Sequence, residues 1–251
     1  MYNFFVDSEN KQSGCYFISG PDYNHIKNVL RMRIGESFLV SSNGKSDLCE
    51  IEAFSEEKVI AKIIEENYKN TNLPIKIHLF QGLPKSEKME LIIQKAVELG
   101  AEEIIPVEMS RSVVKLDDKK KKSKTARWQA ISESAAKQSK RNSVPVVSDV
   151  ISFKEALKKA AELDILLVPY ENKNGMEATR EALSEIKSGM SVGILIGPEG
   201  GFDEAEIEAA LNIGCKVISL GSRILRTETA AIAAISMCML YSEMYLGGEE
   251  I

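Results

Sequence analysis

The spacing of hydrophobic and polar positions changes character along the chain. Up to about residue 64 the apolar residues come in short runs at 3–6, 15–18, 38–41, 48–54 and 58–64, parted by turn residues such as Ser42-Asn43-Gly44 and Ser55-Glu56. That is the pattern of half-buried strands. One segment has helical spacing instead, with Tyr23, Ile26, Val29 and Leu30 on one face of a helix over 22–32. A polar stretch at 65–74, ending in Pro74, predicts a boundary between a domain of residues 1–70 and one of residues 74–251. Beyond it the period alternates. A buried strand at 75–80 leads into a helix whose Met89, Ile92, Ile93 and Ala96 share a face; Gly100 ends that helix and a strand follows at 103–107. This βαβ order predicts a parallel sheet. An amphipathic helix at 125–140, helices at 153–161 and 176–186, and strands at 165–168, 191–196 and 215–220 continue it. The last helix, 228–245, is apolar almost all round between Ala230 and Leu240, so it needs cover on two sides. A second copy of the chain is the expected cover.

Composition narrows the class. With 44% hydrophobic and 27% charged residues in 251 positions, the chain can build substantial cores. No signal-peptide pattern leads it, and the apolar run at 230–240 is too short, and broken by Ser236, to span a bilayer. We therefore expect a cytoplasmic protein without a membrane partner. Cys15, Cys49, Cys215 and Cys238 are scattered and form no CxxC pair, which argues against a metal site and fits reduced, packed thiols. The net charge of −5 hides an asymmetry: residues 111–141 hold eleven Lys and Arg against three acids, a local +8 that leaves −13 for the rest. Such a stripe favours contact with a polyanion, or is a solvated loop at Lys119, Lys120, Lys121 and Lys122.

Candidate chemistry lies in two loops that each follow an apolar strand. The first is Gly197-Pro198-Glu199-Gly200-Gly201-Phe202, with Asp203 as N-cap and Glu206 completing a capping box. The second is Gly221-Ser222-Arg223-Ile224-Leu225-Arg226, with Thr227 or Glu228 opening the last helix. Loops at strand carboxyl ends are where open α/β sheets take ligands, although ordinary βα turns have the same spacing. Neither loop is a dinucleotide fingerprint or a phosphate-cradling loop. The residues alone describe a small-molecule pocket of backbone amides with one carboxylate, Glu199, and one guanidinium, Arg226.

GPEGGF followed by LGSRILRTETA resembles the paired signature motifs of the SPOUT methyltransferases, and most closely the ribosomal RNA small-subunit methyltransferase E family, which methylates N3 of a uridine. HIKNVLRMRIGE at 25–36, the stretch from Gly82 to Lys115, and Arg127-Trp128 through Arg141 and Pro145 are similar to the same family, so the resemblance covers nearly the whole chain. It implies an α/β fold: a SPOUT-type parallel sheet with a carboxyl-terminal trefoil knot, plus a small amino-terminal PUA-like β-barrel domain that holds RNA. It further implies a homodimer, S-adenosyl-L-methionine as cofactor, and assembled small-subunit (16S) ribosomal RNA as substrate. The cofactor residues would be Ile196, Gly197, Pro198, Glu199, Gly200, Gly201, Leu220, Gly221, Ile224, Leu225, Arg226, Glu228 and Thr229. Arg226 would stabilise the anion that uridine N3 becomes, while Glu199 would take the proton or simply position a loop. RNA would meet Arg31, Arg33, Lys85, Arg111, Arg127 and Arg141, although Arg31 and Arg33 also read as surface arginines closing a helix. Trp128 suits a base stack or, more readily, a packed core. Two other functions fit parts of the sequence: a non-catalytic RNA-binding ribosome assembly factor, which needs only the basic stripe, and a nucleotide-dependent small-molecule enzyme using the same sheet edge.

Overall fold

A computed structural model of the chain describes residues 1–85, 87–170 and 175–247. They group into two units, one of residues 1–72 with 136–144, the other of residues 73–135 with 145–251. The division at 72/73 falls inside the polar stretch. The return of 136–144 to the first unit has no counterpart in a linear reading of the sequence.

In the first unit the alternating runs form six strands: β1 (Asn3–Phe5), β2 (Lys11–Gln12), β3 (Cys15–Ser19), β4 (Ser37–Ser42), β5 (Lys45–Ser55) and β6 (Lys58–Glu65). They hydrogen-bond in the order β1-β4-β5-β6-β3-β2, with β1 and β4 parallel and the other pairs antiparallel. Phe4, Tyr16, Ile26, Phe38 and Ile51 fill the core, Phe4 meeting Phe38 edge to face at 5.6 Å. The expected helix over 22–32 is shorter and starts earlier. It runs as α1 (Gly20–Asn24), with Pro21 in its first turn, and widens to a π turn over His25–Val29. Arg31 then takes a left-handed φ of 54°, and the Met32 amide donates back to the Ile26 carbonyl at 3.0 Å. This reversal returns Met32 to the core and leaves Val29 and Ile34 exposed. Residues 136–144 belong here because Asn3 Nδ2 donates to the Arg141 carbonyl at 3.0 Å, and Asn142 Oδ1 accepts from the Thr71 amide at 2.9 Å.

The second unit carries a seven-stranded sheet built from β7 (Lys76–Gly82), β8 (Ala101–Glu108), β9 (Val146–Val147), β10 (Ile151–Ser152), β11 (Ile165–Pro169), β12 (Ser191–Ile196) and β13 (Lys216–Ile218). Its order is β10-β8-β7-β12-β11-β13, with β9 also on β8, and every pair is parallel. Its helices are α2 (Lys88–Glu98), α3 (Asp118–Ser139), α4 (Phe153–Ala160), α5 (Gly175–Ser184), α6 (Glu204–Asn212) and α7 (Thr227–Tyr245), the last four residues of α3 grouping with the first unit. Phe80, Ile105, Val107, Leu166 and Leu195 pack with Ala156, Ala160 and Ala210 of α4 and α6 in one core. The α2 helix buries Met89, Ile92, Ile93, Ala96 and Val97 and packs on α7.

Two helices differ from expectation. The α3 helix begins at Asp118 and not near 125, so Lys119–Lys122 lie in its first turns and not in a loop. Asp117 explains this: its Oδ1 accepts the Lys120 amide at 2.8 Å, capping an otherwise unfavourable start. The apolar α7 is buried along one stripe, Thr227, Ala231, Ala234, Ile235, Cys238 and Ser242, while Leu240, Met244 and Tyr245 are exposed. One chain thus covers one side of it. Trp128 is buried, and the four thiols are free with three of them buried. Among the described residues no helix is long and apolar enough to cross a membrane, and no cluster of His, Cys, Asp and Glu could hold a metal ion.

Candidate active site

The two glycine-containing loops leave the carboxyl ends of β12, at Ile196, and β13, at Ile218, two strands of the same sheet separated by β11. In the first, Pro198 and Gly201 close a turn through a 2.9 Å Gly201 N–H to Pro198 O bond, and Gly201 sits at φ +69°, where a side chain would be strained. The chain then enters α6 through the expected capping box: Asp203 Oδ1 accepts the Ala205 amide at 3.1 Å, and Glu206 Oε2 accepts the Asp203 amide at 2.9 Å. Glu206 Oε1 also takes the Ser110 amide at 2.8 Å, tying this start to the segment after β8. Behind the turn lies Gly82, where a Cβ would sit 2.7 Å from Pro198 N and from the Met109 sulfur.

The second loop is stitched mainly at its two ends. At one, Thr179 Oγ1 accepts the Ser219 amide and donates to the Ser219 carbonyl, both at 2.9 Å. At the other, buried Thr227 donates its hydroxyl to the Gly197 carbonyl at 2.6 Å and accepts from Gln81 Nε2 at 3.0 Å. Thr227 therefore joins the start of α7 to the start of the first loop, with Gln81 of β7 as third member.

Between the loops lies a cleft of about 890 Å³. Ile196, Phe202, Leu220, Leu225 and Ala230 give it apolar walls, and Pro169, Tyr170 and Met176 close the side next to β11 and α5. Tyr170 and Phe202 meet edge to face at 6.2 Å. Gly197, Pro198, Glu199, Gly201, Gly221, Ile224 and Arg226 also line it, so ten of the thirteen expected cofactor residues face one cavity. The other three do not. Gly200 turns its carbonyl to Arg111 Nη1 at 3.4 Å, Glu228 pairs with Lys88, and Thr229 is exposed on α7.

Charge at the cleft is unevenly paired. Lys88 Nζ lies 3.1 Å from Glu199 Oε1 and 3.2 Å from Glu228 Oε2, and the Glu199 carboxylate raises the lysine's pKa. Glu199 accepts the Lys85 amide on both oxygens, at 3.0 and 3.3 Å. Partial burial pushes its pKa up, but the backbone donors and Lys88 outweigh this and hold it below the ordinary value. A carboxylate so satisfied is a poor proton acceptor and a good loop clamp. Arg226 is exposed at the rim, and among the described residues no carboxylate pairs with its guanidinium. Glu228, the nearest candidate in sequence, is held by Lys88 instead.

The residues expected to meet RNA are placed differently from one another. Arg31, Arg33 and Lys85 are exposed. Arg127 is exposed but forked onto Glu90, with Nε 2.8 Å from Oε1 and Nη2 2.9 Å from Oε2. Arg111 braces the first loop through Gly200 and lies 3.6 Å from Asp203. Arg141 is only 4% exposed, which removes it from a phosphate-facing surface: its backbone is fixed by Asn3 and Ser41, and the chain turns it inward after Lys140 at φ 59°. Sequence reasoning missed Lys88, Gln81, Thr227 and Tyr170. Only Thr227 carried a usable signal, as a hydroxyl at the first position of a helix that begins at a glycine loop.

The chain is similar to known proteins along its length. Residues 71–239 match the RNA methyltransferase domain family, and residues 18–64 match the RNA methyltransferase PUA domain family. The chain is 41% identical over 256 residues to ribosomal RNA small subunit methyltransferase E of Bacillus subtilis, covering 99% of this chain and 100% of that protein. It is 36% identical to the enzyme of the same name from Mesomycoplasma hyopneumoniae, with 95% and 99% covered. The crystal structure of a ribosomal RNA small subunit methyltransferase E from Neisseria gonorrhoeae bound to S-adenosyl methionine superposes with a TM-score of 0.79 at 33% identity, covering 98% of both chains. With two glycine loops facing one cleft and a relationship that runs the length of the chain, the chain belongs to the ribosomal RNA small subunit methyltransferase E family.

Proposed function

We propose that the protein transfers the methyl group of S-adenosylmethionine to N3 of a uridine in 16S ribosomal RNA. The coarser activity, S-adenosylmethionine-dependent methylation of small-subunit ribosomal RNA, comes with the family. Several further features belong to the proposal: a cytoplasmic location, a trefoil knot around the second loop, and a homodimer that covers the open side of α7. The observation that carries the chemistry is the unpaired Arg226 at the rim of the cleft between the loops.

The cleft fits the cofactor. Its volume of about 890 Å³ lies in the range of small-molecule sites, and its walls combine apolar side chains with loop backbone. Bound there, S-adenosylmethionine supplies a methyl group on a sulfonium centre whose leaving group is a neutral thioether. The chain's own residues supply position and charge. Ile196, Leu220 and Leu225 offer walls for an apolar ring, and the buried Phe202 adds an aromatic one. Uridine N3 becomes nucleophilic as its proton leaves, when negative charge spreads to the flanking carbonyl oxygens. Arg226 can give that charge two parallel hydrogen bonds, and it has no carboxylate to release first. Glu199 stays ionised and keeps the first loop on the Lys85 amide, so in this reading its role is positional and the proton passes to solvent.

Mass-spectrometric mapping of 16S ribosomal RNA from cells lacking the protein tests the proposal. One 3-methyluridine should disappear and return when purified protein and S-adenosylmethionine are added to small subunits. An unchanged uridine pattern, or loss of a methyl group at another atom, contradicts it.

A further inference from the structure

The lysines that open α3 take no part in the cleft. Lys121 is spoken for, its Nζ 2.8 Å from Glu108 Oε2. Lys119 and Lys122 are exposed and have no ion-pair partner among the described residues, while Lys120 reaches only its neighbour Asp117 at 3.5 Å, both side chains being more than half exposed.

Asp117 and Asp118 suit the start of the helix, but four consecutive lysines follow them inside its first turns. The amino end of a helix carries partial positive charge and favours acids, and like charges three or four residues apart repel. A chain of net charge −5 with 37 acidic residues has no shortage of better choices. The arrangement works against the fold on its own, and a polyanion laid along it would reverse the sign. Its position is equally specific. Glu108 is the last residue of β8, whose neighbour β7 ends at Gly82 against the Pro198 turn. The lysines thus stand at the carboxyl edge of the sheet, the edge that also carries the cleft.

We infer that Lys119, Lys120 and Lys122 form a docking surface for the phosphate backbone of the RNA flanking the methylated nucleotide. The inference rests on the RNA-methylation reading and adds to it a contact surface on the second unit. Phosphate contacts of this kind carry no base specificity and fix the register of the strand.

The test measures binding of a 16S ribosomal RNA fragment to the full chain over a salt series, for the wild type and for Lys119→Gln/Lys122→Gln. Each lost phosphate contact lowers the slope of log affinity against log salt by about 0.7 to 0.9, so the double variant should lose roughly 1.5 in slope and about tenfold in affinity at 0.1 M salt. Its melting temperature should equal or exceed that of the wild type, since a repulsion is removed, and its S-adenosylhomocysteine affinity should not change. Lys119→Arg/Lys122→Arg should keep the wild-type slope. An unchanged slope in the glutamine variant, or a loss of binding that tracks a lower melting temperature, overturns the docking surface. A wild type that binds no RNA overturns the methylation reading itself, and this surface with it.

Discussion

The two loops that face the cleft both follow a strand of one sheet and are held in opposite ways. The first is fixed along its length: Glu199 by the Lys85 amide and Lys88, Gly200 by Arg111, Gly201 by Pro198, and Asp203 by Glu206. The second is secured at Ser219 and Thr227, whereas Ser222, Arg223, Ile224 and Arg226 between them are exposed, Ile224 at 89%. A site that must hold a small cofactor and admit a polymer has reason to be built this way. A rigid floor gives pre-organised donors, and a loop free in its middle can close on whatever arrives.

The contrast can be broken at several points. The largest effect is expected at Arg226, where the free loop does chemistry in this account. Arg226→Ala should lower kcat by roughly a hundredfold or more, ~3 kcal/mol, with S-adenosylhomocysteine affinity and melting temperature near the wild type. Arg226→Lys should recover little, because a point charge lacks the planar fork. A matching fall in stability or cofactor affinity would falsify the catalytic role.

Next is Thr227→Val, which keeps shape and removes the hydroxyl that joins the loops. It strands the Gly197 carbonyl and one bond of the Gln81 amide in a buried place, a cost of about 2 kcal/mol. Thermal unfolding should show that loss together with weaker cofactor binding. Stability equal to the wild type means that the two loops are not joined there.

Glu199→Gln should have a smaller effect, about 1 kcal/mol, read as a several-fold loss of S-adenosylhomocysteine affinity. Its pH dependence has a definite sign. The folded carboxyl titrates below its ordinary value of 4.5, so its contribution is complete above that value and fades as pH falls through the lowered one. Stability of the wild type should therefore decline as pH falls below about 4.5, and the glutamine variant should lack that component. Parallel pH profiles for the two proteins count against the clamp. Smallest is Ile224→Ser, which should leave the melting temperature within the range of an ordinary surface change, about ±0.5 kcal/mol. A drop of several degrees would show that the second loop is packed after all.

Much of this site was written in local pattern. Gly197-Pro198 and Gly200-Gly201 announce a turn, Asp203 with Glu206 announces a helix start, and the βα alternation before them announces a parallel sheet. What stayed hidden depends on residues far apart in sequence. Lys88 reads as one more polar residue on a surface helix until the fold brings Glu199 and Glu228 to it. Gln81 reads as the end of a strand until Thr227 arrives from 146 residues on. The start of α3 is hidden for another reason: lysine repeats lack the apolar period that marks helices, and Asp117 is the one local sign of it. Arg141 reads as a surface residue because charge is normally exposed, and its burial accompanies the backbone bonds to Asn3 and Ser41, which no local pattern encodes.

The claim that one loop is floor and the other is gate can be measured directly by amide hydrogen exchange, with and without S-adenosylhomocysteine. In the free protein the amides of Gly201 and Asp203, which donate to Pro198 and Glu206, should already be protected and those of 222–226 should exchange fast; the ligand should slow the second set and hardly alter the first. Equal protection of both loops in the free protein, or ligand protection confined to the first, would contradict the account.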